Sequence, residues 1–208
     1  LHPGPTNAHN QRSGAFRAMA GDCLPEPGIV GLSVTGMMDE IASHIMDIVA
    51  NSLTARAKNI SVVIEKCVDG PLLILDIKDD GVGMDNEMAM KVQDPFFSTK
   101  TGRKVGLGIP LLKGTAETTG GTFCLTSEPG RGTEIRVTFN ADHPDLPPLG
   151  NLKDTILVLT VGNPEVNFLF RYKNSVKEFL LDTAEVKDLL GGVPINHPEV
   201  ISFLSKYL

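Results

Sequence analysis

The run Leu72-Leu73-Ile74-Leu75-Asp76-Ile77 is followed by Asp79-Asp80-Gly81-Val82-Gly83-Met84. The apolar run predicts a buried strand that stops where acidic residues and glycines begin, which fixes a carboxylate at the strand end. An ionised carboxylate only accepts hydrogen bonds, so Asp79 suits an exocyclic amine such as that of adenine. Glycine at 81 and 83 lets the backbone turn sharply and a flat ring lie against it. Further on, Gly106-Leu107-Gly108-Ile109-Pro110-Leu111-Leu112 opens an apolar-periodic segment that runs to Gly120-Gly121. This is the pattern of a helix with a glycine-rich entrance and a glycine exit. Free N–H groups at such an entrance, backed by the helix dipole, attract phosphate. Together the clusters point to a base at one end and phosphates at the other. Taken singly, each also reads as something plainer, an Asp-Gly turn and a helix cap.

A third set lies upstream. Residues 38–57 place Ile41, Ile45, Ile48, Val49 and Leu53 at helical spacing, which predicts an amphipathic helix. His44, Asp47 and Asn51 are three, four and seven residues apart and so form one polar stripe beside the apolar one. A polar stripe inside a packed helix needs a partner, and a magnesium-bound triphosphate would supply it.

Asp47-Ile48-Val49-Ala50-Asn51, Asp79–Met84, Asp94-Pro95-Phe96-Phe97-Ser98-Thr99-Lys100, Gly106–Gly108 and Gly130-Arg131-Gly132-Thr133 follow one another in this order. They resemble the N, G1, F, G2 and terminal Gly-Thr boxes of the GHKL superfamily. That superfamily joins type II topoisomerase ATPase domains, heat-shock chaperones, mismatch-repair ATPases and histidine kinases. The F-box phrase and its distance from Gly-Leu-Gly look most like the histidine-kinase branch. The resemblance takes in roughly residues 38 to 140. It implies an α+β fold, a two-layer α/β sandwich of the Bergerat type, that binds ATP under a flexible lid with Mg2+ bridging the phosphates.

Carried over by residue, the resemblance implies that Asn51 ligates the magnesium through its side-chain oxygen. Asp79 then binds adenine, Gly83 lets the ring approach, and Thr133 helps hold the base through water. Gly81, Met84, Phe97, Thr99, Lys100, Lys104, Val105, Gly106, Leu107 and Gly108 line the nucleotide, with the lid spanning Phe96 to Val105. Asp47 stands where hydrolytic branches place a glutamate acting as general base. It is one methylene shorter, so hydrolysis is expected to be slow, with transfer to a partner's hydroxyl or imidazole left open. In place of the first glycine of the usual second glycine box the chain has Lys104. That lysine reads equally as a clamp on the terminal phosphate or as a solvated lid residue, and Lys100 and Arg103 carry the same two readings. His44 is expected to be a hydrogen-bonded structural or supporting residue rather than a phosphoacceptor. In sensor kinases the acceptor histidine stands on a separate helical hairpin.

The chain has 208 residues, enough for one well-buried domain with a small addition. Its 41% hydrophobic content without a long apolar run predicts no membrane helix, and a net charge of −6 argues against a nucleic-acid surface. Cys23, Cys67 and Cys124 are far apart and form no C-x-x-C pair. They predict a reducing, cytoplasmic setting and no metal cluster.

The elements that must position these groups follow from periodicity. Residues 60–64 and 72–77 predict a strand pair turning at Asp69-Gly70-Pro71. Residues 122–127 and 133–139 predict another around Glu128-Pro129-Gly130-Arg131, with helices over 38–57 and 107–119 on one sheet face. Residues 1–36 hold ten glycines or prolines and no lysine, and predict a disordered leader before a translation start at Met37 or Met38. The ATPase-like domain is expected over 37–141, a linker over 142–150, and a small α+β appendage over 151–208. In that appendage 155–161 reads as helix or strand, 166–172 and 177–181 as a hairpin, and 184–190 and 198–207 as helices.

The leading expectation is an Mg-ATP-binding phosphotransferase or slow ATPase. It resembles stand-alone ATPase-like proteins and the small anti-sigma serine kinases, where a protein partner supplies the acceptor. The alternative is a nucleotide-gated protein-binding module with little catalysis. A gyrase-type or mismatch-repair-type fragment is less expected, and oligomeric state is left open.

Overall fold

The computed structural model describes residues 40–68, 70–97 and 107–208. The readings made for the leader at 1–36 and for Thr99, Lys100, Arg103, Lys104, Val105 and Gly106 lie outside the described residues.

Helix α1 spans Ile41–Thr54 and carries its buried residues Ile41, Ile45, Ile48, Val49 and Ser52 on one stripe. Its first two N–H groups are satisfied by the carbonyls of Pro148 (2.9 Å) and Leu149 (3.0 Å), so the 142–150 segment caps the helix. At the other end Arg56 adopts φ 61°. The Ala57 N–H returns to the Ser52 carbonyl at 3.1 Å, a left-handed stop that turns the chain into the sheet.

Strands β1 (Asn59–Lys66) and β2 (Leu72–Asp79) pair antiparallel, as do β2 and β4 (Gly132–Asn140) and β3 (Thr122–Glu128) and β4. Between β2 and β3 lie α2 (Asn86–Lys91) and α3 (Gly108–Thr118). The later chain forms α4 (Leu152–Gly162), β5 (Asn167–Lys173), β6 (Glu178–Asp182), α5 (Thr183–Leu189) and α6 (Pro198–Tyr207). Sequence periodicity had no reading for α2. Its signal is short: Asp85 as N-cap, accepting from the Met88 N–H, followed by Glu87 in the first turn.

All six strands belong to one sheet in the order β3-β4-β2-β1-β5-β6. β5 runs parallel to β1, with Ile60 opposite Phe168 and Val62 opposite Phe170. The chain beyond residue 150 therefore extends the same sheet. Its helices join the same layer, α4 contacting α1 and α6 contacting α4.

Alternation along the strands decides which face is covered. Ile60, Val62 and Ile64 on β1, Leu73, Leu75 and Ile77 on β2, and Ile135, Val137 and Phe139 on β4 share one face by register and are all buried. Leu112 and Ala116 of α3 and the α1 stripe complete that core. Each fully buried Leu, Ile or Phe side chain contributes about 1.5–3 kcal/mol of transfer free energy. The architecture is the expected mixed α+β one, a sheet with a helical layer. On the opposite face the out-of-phase Asp76 is paired with Arg136, its register partner, whose Nε donates at 2.8 Å.

Among the described residues no helix is long and apolar enough to cross a membrane.

Candidate functional site

The same alternation that buries Leu73, Leu75 and Ile77 carries Asp79, the next residue of that phase, to the helix-covered face at the end of β2. It is only 7% exposed, so its oxygens need donors. Ser52 of α1 donates its hydroxyl to Oδ2 at 2.7 Å, and the Gly81 N–H donates to Oδ1 at 2.9 Å. Ser52 also lies 3.3 Å from the Ile48 carbonyl, but a hydroxyl has one proton and the carboxylate is nearer. Each carboxylate oxygen keeps acceptor capacity beyond these two bonds. The sequence reading passed over Ser52; its signal was its place on the sheet-facing stripe of α1, next to Asn51.

Thr133 stands directly opposite Asp79 in the β2–β4 register. Its Oγ1 lies 2.9 Å from the hydroxyl of Ser127, which accepts from the Met84 N–H at 2.8 Å and donates to the Gly132 carbonyl at 2.8 Å. Because Ser127 spends its proton on Gly132, Thr133 is the donor of that pair. Its lone pairs remain open. The loop between is held by glycine at 83, which has φ 64° and lies so close to Glu128 that an added Cβ would sit 2.0 Å from its carbonyl oxygen. Gly81 and Met84 are thereby joined to the Asp79–Thr133 corner through backbone bonds.

Asp79 and Asp80 are neighbours with opposite duties. Asp80 points outward and accepts from the backbone N–H groups of Lys58 (2.7 Å) and Asn59 (2.9 Å). Partial burial pushes its carboxyl up, but the bonds from Asn59 and Lys58 outweigh this and hold it below the usual range. It fastens the turn after α1 to the end of β2.

The second end of the site is built where α1 meets α3. A Cβ at position 108 would lie 2.7 Å from the Asp47 Cβ and 3.2 Å from its Oδ2, so glycine there is what lets Asp47 reach the entrance of α3. Leu107 caps α3 without a side-chain bond, and Pro110 has no N–H, which leaves the N–H groups of Gly108 and Ile109 at this end. Asn51, half-buried, follows Asp47 by one helical turn. Magnesium takes a few oxygen ligands from protein and the rest from phosphates and water. The side-chain oxygen of Asn51 fits that demand. Phe97 closes a turn on the Asp94 carbonyl at 3.0 Å, and neighbouring Phe96 is 97% exposed.

His44 departs from expectation. It is buried, yet neither Nδ1 nor Nε2 has a hydrogen-bond partner. The expected hydrogen bond to the imidazole is not found among the described residues. Burial lowers its pKa from 6.5 to about 4, so it is neutral at pH 7.

Residues 36–143 match the family described as histidine kinase-, DNA gyrase B- and HSP90-like ATPase, which is more than half of the chain. The chain belongs to this family. Domains of this family bind ATP, and the match begins just before α1 and ends after β4. Sporulation kinase C of Bacillus subtilis is 27% identical over 109 residues, which cover 52% of the chain and 25% of that kinase. Sensor histidine kinase RcsC of Salmonella typhimurium is 26% identical over 149 residues, covering 68% of the chain and 16% of RcsC. The crystal structure of full-length ShkA in complex with AMPPNP aligns at 19% identity and TM-score 0.39, covering 50% of the chain and 22% of ShkA. The chain thus spans a quarter or less of the length of these relatives.

Proposed function

We propose that this domain binds Mg-ATP with adenine against Asp79 and its phosphates at the entrance of α3, and that it transfers the terminal phosphoryl group to a protein partner or, slowly, to water. The observation that carries the reading is the pairing of a buried, acceptor-only Asp79 with Thr133 directly across the strand pair. A base amine is the complementary donor, and Gly81, through its N–H to Asp79, and Gly83, through its close approach to Glu128, fix the loop beside that carboxylate. At the other end Asn51 would hold magnesium, which when bound neutralises charge on the phosphates. Asp47 orients the attacking hydroxyl or water and accepts its proton at Oδ2, beside the Gly108 and Ile109 N–H groups. Lys100 and Lys104 are proposed to close on the terminal phosphate, and Phe97, Thr99, Val105, Gly106 and Leu107 to complete the lining.

The test is phosphate release from ATP with magnesium by the purified chain and by Asp47→Asn, with nucleotide affinity measured alongside. Turnover that is lost in the variant while affinity holds supports the catalytic reading. Tight binding with equal, negligible turnover in both chains supports a nucleotide-gated binding module in its place.

A further inference from the structure

The loop that carries Gly81 and Gly83 is tied to parts of the chain beyond the family-matched region. Asp80, beside Asp79, accepts from the Asn59 side-chain Nδ2 at 2.6 Å. The Oδ1 of Asn59 accepts from Nδ2 of Asn167 at 3.1 Å, and the Oδ1 of Asn167 accepts from Nζ of Lys187 at 3.0 Å. Four side chains therefore form one line from α5, through the starts of β5 and β1, to the loop. Its ends decide its direction: a carboxylate only accepts and an ammonium only donates, so both amides must turn their NH2 groups toward Asp80 and their oxygens toward Lys187.

Backbone bonds join the same segments. The Asn167 N–H donates to the Lys58 carbonyl at 2.8 Å, the Asp80 N–H to Asn59 at 3.3 Å, and the Val82 N–H to Ala55 at 2.9 Å. Asn59 is the junction, since its backbone N–H, its carbonyl and both ends of its side chain are all engaged. Lys187 is anchored at its own end by the Val166 carbonyl at 2.7 Å. The bonds to the Asp79 side chain come from Ser52 and Gly81 and not from this line, so the line acts through the loop's position.

We infer that Asn59, Asn167 and Lys187 are positioning residues for purine recognition, holding the 80–83 loop in register with Asp79 so that β5 and α5 take part in reading the base. This rests on the proposed site at Asp79. A displaced loop weakens a directional hydrogen bond to the 6-amino group more than it weakens contacts to phosphate, because hydrogen bonds fall off steeply with angle.

The full chain is titrated by calorimetry with ATP and with purine riboside triphosphate, which lacks the 6-amino group. Asn167→Ala, Lys187→Met, Asn167→Asp and Asp79→Asn are compared with the unmodified chain. Asn167→Ala and Lys187→Met are expected to lower ATP affinity about threefold to tenfold and to lower the ATP preference with it. Asn167→Asp keeps an acceptor for Lys187 but sets an acceptor against Asn59 Oδ1. The Asn59 amide must then turn away from Asp80, so this variant is expected to match Asn167→Ala. A purely structural role would lower the melting temperature and both affinities together, leaving the preference unchanged. That result in all three variants, with the preference lost in Asp79→Asn, overturns the inference and leaves the site standing. A preference that survives Asp79→Asn overturns both.

Discussion

The two ends of the proposed site are built in different ways. At the base end, Ser52, Asp79 and Gly81 form one set of hydrogen bonds and Met84, Ser127 and Thr133 another, and the β2–β4 register sets Asp79 opposite Thr133. At the phosphate end, Asp47 meets Gly108 at the entrance of α3, and the buried His44 has no hydrogen-bond partner among the described residues. The contrast follows from what surrounds each. The base end lies on the sheet, where strand register supplies neighbours at set distances. The phosphate end lies between two helices, α1 and α3, whose packing brings Asp47 to Gly108. One end is held by strand register and the other by helix packing.

The largest effect expected is on chemistry. Asp47→Asn should lower phosphate release about 1,000-fold, within the range for loss of a general base, while ATP affinity measured by calorimetry stays within about twofold. Unchanged turnover in a chain that does hydrolyse ATP would place the base elsewhere.

Next comes the unpartnered imidazole, probed by urea unfolding across pH. The pKa of His44 is about 4 folded against 6.5 unfolded, so the unfolded chain takes up the proton first. Stability from this group is fully present above the unfolded value and is lost as pH falls, by about 3 kcal/mol between pH 7 and pH 4. His44→Leu should remove that slope and raise stability at pH 7 by about 1 kcal/mol, since it deletes a buried group without partners. Equal slopes in both proteins would mean that the imidazole is not held neutral.

At the base end Asp79→Asn replaces an acceptor with a donor facing the amine. ATP affinity should fall about 30-fold, the worth of one hydrogen bond to a charged group. The melting temperature should fall as well, because Ser52 and Gly81 donate to different carboxylate oxygens and the amide NH2 leaves one of them without an acceptor. Asn51→Ala should have the smallest effect, weakening magnesium-dependent binding about tenfold while magnesium-free binding is unchanged. If the loss is equal with and without magnesium, Asn51 does not belong to the metal.

Much of this was legible from periodicity. The strands at 60–64, 72–77, 122–127 and 133–139 and the helices at 38–57 and 107–119 were recoverable because one face of each is apolar and their turns carry glycine. The strand hairpin at 166–172 and 177–181 was equally readable, but its pairing with β1 was not. Side-chain alternation tells which face is covered and is silent about which neighbour sits alongside. For the same reason 151–208 read as an appendage, although β5 and β6 widen the central sheet. Short α2 escaped because six residues are too few for a helical period to declare itself.

By itself the sequence determined the set of boxes, the strand whose period of two ends on Asp79, and the stripe that aligns His44, Asp47 and Asn51. These are local facts, set by residue type and by the 2.0 and 3.6 repeats of strand and helix. Only the tertiary structure decided that Ser52 reaches Asp79, that Thr133 faces it, that Asp47 meets Gly108, that His44 lacks a partner, and that Lys187 is tied through two amides to Asp80. Each of these depends on distances between segments far apart in the chain, and those distances are set by register and helix packing, which no single segment encodes.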